Sequence, residues 1–133
     1  MRLRGKKAGA LAAKATESEL EILNVLWTLG SGTVREVHEA LAKTKPTGYT
    51  TTLKLMQIMA EKGLLQRDES QRAHVYRPAI VREDAQSSLL RSLMDRLFDG
   101  SSAQLVLRAL AEKPATAEER RAIRKLIEEA EAE

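Results

Sequence analysis

The seven glycines and three prolines of this 133-residue chain fall either within its first 14 residues or between stretches that have their own periodicity. They act as punctuation and leave each periodic segment uninterrupted. The first segment opens with Thr16-Glu17-Ser18-Glu19, a capping-box pattern in which Thr16 accepts from an early helix N–H and Glu19 reaches back. Leu20, Leu23, Leu26 and Trp27 recur at helical spacing until Gly30-Ser31-Gly32 stops the helix. Thr33-Val34-Arg35-Glu36 repeats the start signal, and Val34, Val37 and Leu41 stripe a short second helix that ends before Pro46 and Gly48.

A third helix is expected from about Thr50 to Lys62, ended by Gly63. Thr52, Leu55, Met56 and Met59 share one side of its wheel, and Thr50, Lys54, Gln57 and Glu61 share the opposite side. Leu64 to Arg67 and Ala73 to Arg77 then flank the polar stretch Asp68 to Arg72, which reads as a β-hairpin. Beyond Pro78 the chain is helical again. Leu89, Leu90, Leu93, Met94, Leu97 and Phe98 form a wide apolar face before Asp99-Gly100. Ser101 to Gln104 is another box ahead of Leu105, Val106, Ala109 and Leu110, and Thr116 to Glu119 opens a last helix with Ile123, Leu126, Ile127 and Ala130 on one face. So much apolar surface in so short a region calls for a second copy of the chain, buried at Leu90, Leu93, Leu97, Leu105, Leu110, Ile123, Leu126 and Ile127.

Composition narrows the chemistry. There is no cysteine, which removes thiolate nucleophiles and Cys-bound metal, and His38 and His74 are the only imidazoles. No nucleophile and base come together, so no enzyme, metal or cofactor is expected. Apolar runs are far shorter than the roughly 20 residues that cross a bilayer, and the start of the chain lacks a secretory apolar region. The chain reads as cytoplasmic and not membrane-inserted. Its net charge of +3 is unevenly spread: residues 1–14 carry five basic side chains and no acid, and residues 15–77 carry eight of each sign. From residue 78 onward there are nine basic and eleven acidic side chains.

Three helices followed by a hairpin within about sixty residues is the order of a winged helix-turn-helix, in which the third helix enters the major groove and the hairpin lies on the backbone. Thr50, Lys54 and Gln57 present groups that can reach base edges or phosphates. Thr50 and Thr51 can join free N–H groups of the helix start in holding a phosphate, and Arg67 and Arg72 of the wing are placed to touch adjacent backbone. Leu53 and Ile58 read as edge-of-core residues, Trp27 as core, and the two histidines as surface or satisfied structural groups. The fold class is thus mainly α. Residues 1–15 are expected as a basic flexible tail, 16–78 as a winged-helix DNA-binding domain, and 79–133 as a helical dimerisation region.

The runs Thr16 to Trp27, Thr33 to Val37, Tyr49-Thr50-Thr51, Glu61 to Leu64 and Val75-Tyr76-Arg77-Pro78, in this order and spacing, resemble the penicillinase-repressor family of BlaI, MecI and CopY-type regulators. The resemblance covers roughly residues 16–130. It implies a homodimeric repressor that binds a palindromic double-stranded DNA operator and is inactivated, in penicillin-responsive members, by a membrane sensor protease. Departures are specific. Thr52, Lys54 and Ile58 replace the family's usual Val, Thr and Arg on the third helix, so the family's operator sequence does not carry over. The C-terminal cysteine cluster of copper-responsive members is missing, and the Asn-Phe pair that the protease cuts is replaced by Arg108-Ala109. The competing reading is a winged-helix protein-interaction module without sequence-specific DNA binding, suggested by the near-balanced charge of residues 15–77. A regulator enclosing a small molecule between its C-terminal helices is disfavoured by the scarcity of polar groups on their apolar faces.

Overall fold

In the computed structural model, residues 5–132 are described, with side chains from residue 9 onward. The elements run α1 (Gly5–Ala13), α2 (Glu17–Leu29), α3 (Val34–Ala42), α4 (Tyr49–Lys62), β1 (Leu65–Asp68), β2 (Val75–Pro78), α5 (Arg82–Leu97), α6 (Ser102–Glu112) and α7 (Ala117–Ala132). The protein is mainly helical with one antiparallel hairpin, and the expected third helix is α4.

Local signals set the helix ends. Thr16 Oγ1 accepts from the Glu19 N–H at 3.1 Å while Glu19 Oε1 accepts from the Thr16 N–H at 2.9 Å, so the first box forms in full. Thr33 and Glu36 repeat it at 3.2 and 2.9 Å on α3. Gly63 ends α4 in the left-handed region at φ 92°, where a Cβ would be strained, and its N–H closes on the Ala60 carbonyl.

The chain divides into two compact units, Met1–Ser92 and Leu93–Glu133. The first is built around Ile22, Leu23 and Leu26 of α2, Val37 of α3, and Met56 and Met59 of α4, all fully buried, with Leu64, Leu65 and Tyr76 of the hairpin closing over them. Thr52, also fully buried, resolves its hydroxyl by donating to the Gly48 carbonyl at 3.4 Å. The hairpin register pairs Leu65 with Pro78 and Gln66 with Arg77. Gly32 adds a bridge to its free side, exchanging both backbone bonds with Tyr76 at 2.8 and 2.9 Å. The wing is thereby tied to the α2–α3 connection.

Two domain expectations change. Residues 5–13, expected as flexible tail, form α1. The reason lies in packing: Ala12 is fully buried with Ile80 and Ala85 in a small cluster bordered by Trp27, and Gly9 lies so close to Ser88 that an added Cβ would collide with its hydroxyl. That same cluster moves the boundary expected at residue 79, because Ala79, Ile80 and Ala85 are core of the first unit, which runs on to Ser92. Trp27, expected as core, is only half-buried and packs against both clusters, and its indole N–H donates to the Ile80 carbonyl at 2.9 Å.

In the second unit the helices are locally well specified. Gly100, at φ 75°, donates to the Met94 carbonyl at 2.9 Å and ends α5 where Asp99-Gly100 was expected to. Ser101 accepts from the Gln104 N–H at 3.1 Å, and Thr116 and Glu119 form a complete box at 3.1 and 2.9 Å. Yet α6 and α7 contain no buried residue.

Candidate nucleic-acid interface

α4 carries two unlike faces. Thr52, Met56 and Met59 are buried, and Leu53 packs on the core edge as expected. Thr50, Lys54, Gln57 and Glu61 are exposed on the opposite side. The structure therefore brings Thr50, Lys54 and Gln57 onto one solvent-facing strip, with Glu61 as its single carboxylate. Thr51 is exposed but turns toward a cavity of about 250 Å3 shared with Ser18, Lys45 and Thr47, beside the strip rather than on it.

The start of α4 differs from those of α2 and α3. Gly48 is its N-cap, no side chain accepts from its first-turn N–H groups, and the first turn holds no acid. Where α2 and α3 close their N-termini with Glu19 and Glu36, α4 leaves its donors open at its positive end. Nearby, Lys45 Nζ lies 2.8 Å from Glu21 Oε1, and that hydrogen bond raises the lysine's pKa above its ordinary value. Tyr49, half-exposed at the start of α4, meets the His38 ring edge-on at 5.7 Å. His38 is half-buried, and its Nδ1 is buried with no hydrogen-bond partner among the described residues.

The two wing arginines are not alike. Arg67 on β1 pairs with Glu69, Nη2 to Oε2 at 3.1 Å and Nε to the same oxygen at 3.2 Å. Hydrogen bonding to Tyr76, then to Glu69, raises its pKa further. Arg72 in the hairpin loop is exposed and has no ion-pair partner among the described residues.

A contact the sequence did not reveal holds α4. Glu19 is 2% exposed and divides its carboxylate, with Oε1 on the Thr16 N–H and Oε2 on Lys62 Nζ at 2.8 Å. Burial pushes its pKa up, but the Lys62 hydrogen bond and the Thr16 N–H outweigh that and leave it below the ordinary carboxylate value. One residue thus caps α2 and pins the last turn of α4. The two partners are 43 positions apart, and no local pattern announces such a pair.

The residues expected at a second-copy interface stand in solvent or are only half-covered. Leu97 is 70% exposed, Leu126 68% and Ile127 55%, with Leu90, Leu93 and Leu110 also exposed and Leu105 and Ile123 intermediate. Val106 and Leu107, outside the expected set, are exposed too. Leu110, Ile123 and Ile127 line a groove between α6 and α7.

The family profile described as Penicillinase repressor matches residues 15–129, spanning α2 to α6 and most of α7. The chain belongs to the penicillinase-repressor family. Penicillinase-repressor relatives include the transcriptional regulator BlaI of Mycobacterium tuberculosis, 32% identical over 115 residues that cover 86% of this chain and 83% of the relative. The penicillinase repressor of Bacillus licheniformis is 27% identical over 114 residues, covering 86% and 89%. A solved structure, the hsRosR-S4 complex, superposes with a TM-score of 0.52 over 94% of this chain and 96% of that one, at 15% identity, and shows likeness of fold. Membership in the penicillinase-repressor family makes the chain a DNA-binding transcriptional repressor and not an enzyme. Among the described residues, no helix is long and apolar enough to cross a membrane. Helix α1 ends before the span that the family profile matches.

Proposed function

We propose that this repressor acts in the cytoplasm as a homodimer and reads a palindromic operator, each copy placing Thr50, Lys54 and Gln57 of α4 in one major-groove half-site. The observation that carries the reading is the α4 strip itself: polar, exposed, and joined to a helix start with open N–H groups and no acid. A phosphate approaching that start meets backbone donors and the Thr50 hydroxyl, while Thr51 supports it from the side. Lys54 and Gln57, further along, reach base edges. At the wing, Arg72 contacts phosphate directly, whereas Arg67 must first leave Glu69.

Dimerisation is assigned to Leu90, Leu93 and Leu97 of α5, Leu105 and Leu110 of α6, and Ile123, Leu126 and Ile127 of α7. Burying such side chains yields about 25 cal/mol per Å2 of apolar surface, a gain that a lone copy leaves unrealised. Of the three departures from the family's usual third helix, Lys54 alone stands on this exposed strip and gives it its own base preference, whereas Thr52 is buried on the core face of α4. A sensor protease that ends repression has to cut somewhere other than an Asn-Phe pair, because Arg108-Ala109 stands at that place in α6.

Selection of bound fragments from a random DNA pool tests the reading, and a two-fold symmetric sequence is the expected product. Recovery of no common sequence, or of an asymmetric one, overturns it. On the selected operator, Lys54→Ala is expected to weaken binding about tenfold. Lys113→Ala, outside the reading unit, should leave affinity within about twofold of the parent. Equal losses for the two variants in a gel-shift titration would remove α4 from the groove.

A further inference from the structure

Between the end of α2, the base of the hairpin and the start of α5, the first unit contains a cleft of about 560 Å3. That volume lies within the range of about 300–1,000 Å3 typical of small-molecule sites. Trp27, Pro78 and Val81 make its apolar side, and Arg77, Arg82 and Glu83 its charged side. Trp27 is held from behind by its bond to the Ile80 carbonyl, so its ring is a fixed wall. Arg82 Cζ stands 5.8 Å from the centroid of that ring, and its Nη2 reaches Thr28 Oγ1 only at 3.4 Å. Among the described residues neither Arg77 nor Arg82 forms a contact ion pair, although the charge of Arg77 helps to lower the pKa of Asp68 on β1, and the cleft lining itself sets two guanidinium groups against one carboxylate.

We propose that this cleft binds a small planar aromatic carboxylate, its ring against Trp27 and Val81 and its carboxylate between Arg77 and Arg82. Guanidinium forks match carboxylate geometry and strengthen when the paired anion is partly withdrawn from water. An inorganic phosphate satisfies the arginines but leaves the half-buried indole and the Val81 side chain uncovered. A neutral aromatic covers those groups and leaves both cations unanswered. The ligand that meets both halves of the lining carries a ring and a charge together. Gln66, the cross-strand partner of Arg77, also lines the cleft, so an occupant touches both strands at the base of the wing.

Trp27 is the only tryptophan in the chain and supplies a single indole N–H resonance. The full chain, uniformly nitrogen-labelled, is titrated with benzoate, benzamide and inorganic phosphate in parallel. Benzoate is expected to shift the indole signal saturably, with benzamide and phosphate each weaker by about tenfold or more. The Arg77→Gln, Arg82→Gln double variant is expected to lose the advantage of benzoate over benzamide while keeping the remainder of its spectrum. A shift that rises linearly without saturation, or equal midpoints for benzoate and benzamide on the unmodified chain, overturns the proposal, as does unchanged benzoate binding by the double variant. The comparison of ligands on the unmodified chain decides the matter even if the double variant does not fold.

Discussion

The two compact units use the same local grammar and reach opposite degrees of burial. Thr16 and Thr33 in the first unit and Thr116 in the second each open a helix with a complete capping box, with bond lengths that agree within 0.1 Å. Yet α2 buries Ile22, Leu23 and Leu26 completely, whereas α7 buries nothing and leaves Leu126 68% exposed. Capping decides where a helix starts, while burial needs a partner at a distance along the chain or on another copy. The first unit finds its partners in the hairpin and α4. The second offers the same kind of apolar stripe with nothing within its own unit to bury it fully.

The sharpest way to break this contrast is one chemical change made in both places. Leu26→Ala removes a fully buried side chain and should cost the first unit about 2–5 kcal/mol, a loss independent of protein concentration. Leu126→Ala removes an exposed one and should scarcely change the unfolding of a dilute single copy, but it should lower apparent stability where copies associate. Urea melts at two protein concentrations about a hundredfold apart separate these cases. A Leu126→Ala effect that ignores concentration would mean that α7 finds its cover within one chain, and the proposed dimer surface would have to move.

How much of this was legible beforehand follows the same division. The boxes at Thr16 and Thr33, the stop at Gly30, the two faces of α4 and the Leu65–Pro78 hairpin are marked by the order and spacing of residues within each segment. α1 was not legible. Gly9 reads as a breaker, and the reason a glycine stands there is Ser88, far along the chain on α5, which leaves no room for a Cβ. Glu19 reads as an N-terminal cap, and its second task on Lys62 depends on how α2 and α4 cross. Arg67 illustrates a limit of a different kind at the interface: the sequence places it on the wing, but its engagement by Glu69 depends on the hairpin's side-chain geometry. The strip of Thr50, Lys54 and Gln57 was readable because a helix wheel needs no tertiary knowledge.

Glu19 gives the second test, of intermediate size. Replacing it by Ala removes the Thr16 cap partner and the Lys62 ion pair together, and should destabilise the first unit by about 1–3 kcal/mol. Because its pKa is lowered in the fold, its contribution is present above the ordinary value of 4.5 and is lost as pH falls through the lower folded value. Stability of the parent should therefore drop on acidification in a range where Glu19→Gln, which keeps an acceptor for the Thr16 N–H but no charge, changes less. Parallel acid-limb curves for parent and variant would show that Lys62 contributes nothing through charge. No described carboxylate of α6 or α7 is buried, so the second unit offers no counterpart to this effect.

The smallest expected effect tests the likeness of the units rather than their difference. Thr33→Ala and Thr116→Ala each delete one hydroxyl from a box that is exposed to water, with nearly the same geometry. A cap acts on the N–H groups of its own first turn, so each change should cost about 1 kcal/mol wherever it is made. Thr33→Ala should appear in the cooperative unfolding of the first unit, because α3 is anchored there by Val37. Thr116→Ala should appear as faster amide exchange in the first turn of α7, because without a core that helix opens locally before anything else unfolds. Equal local cost with different modes of loss is the outcome that supports the comparison; a Thr116→Ala loss spread over the whole of α6 and α7 would mean that these helices unfold together, and that they share more packing than their exposed faces display.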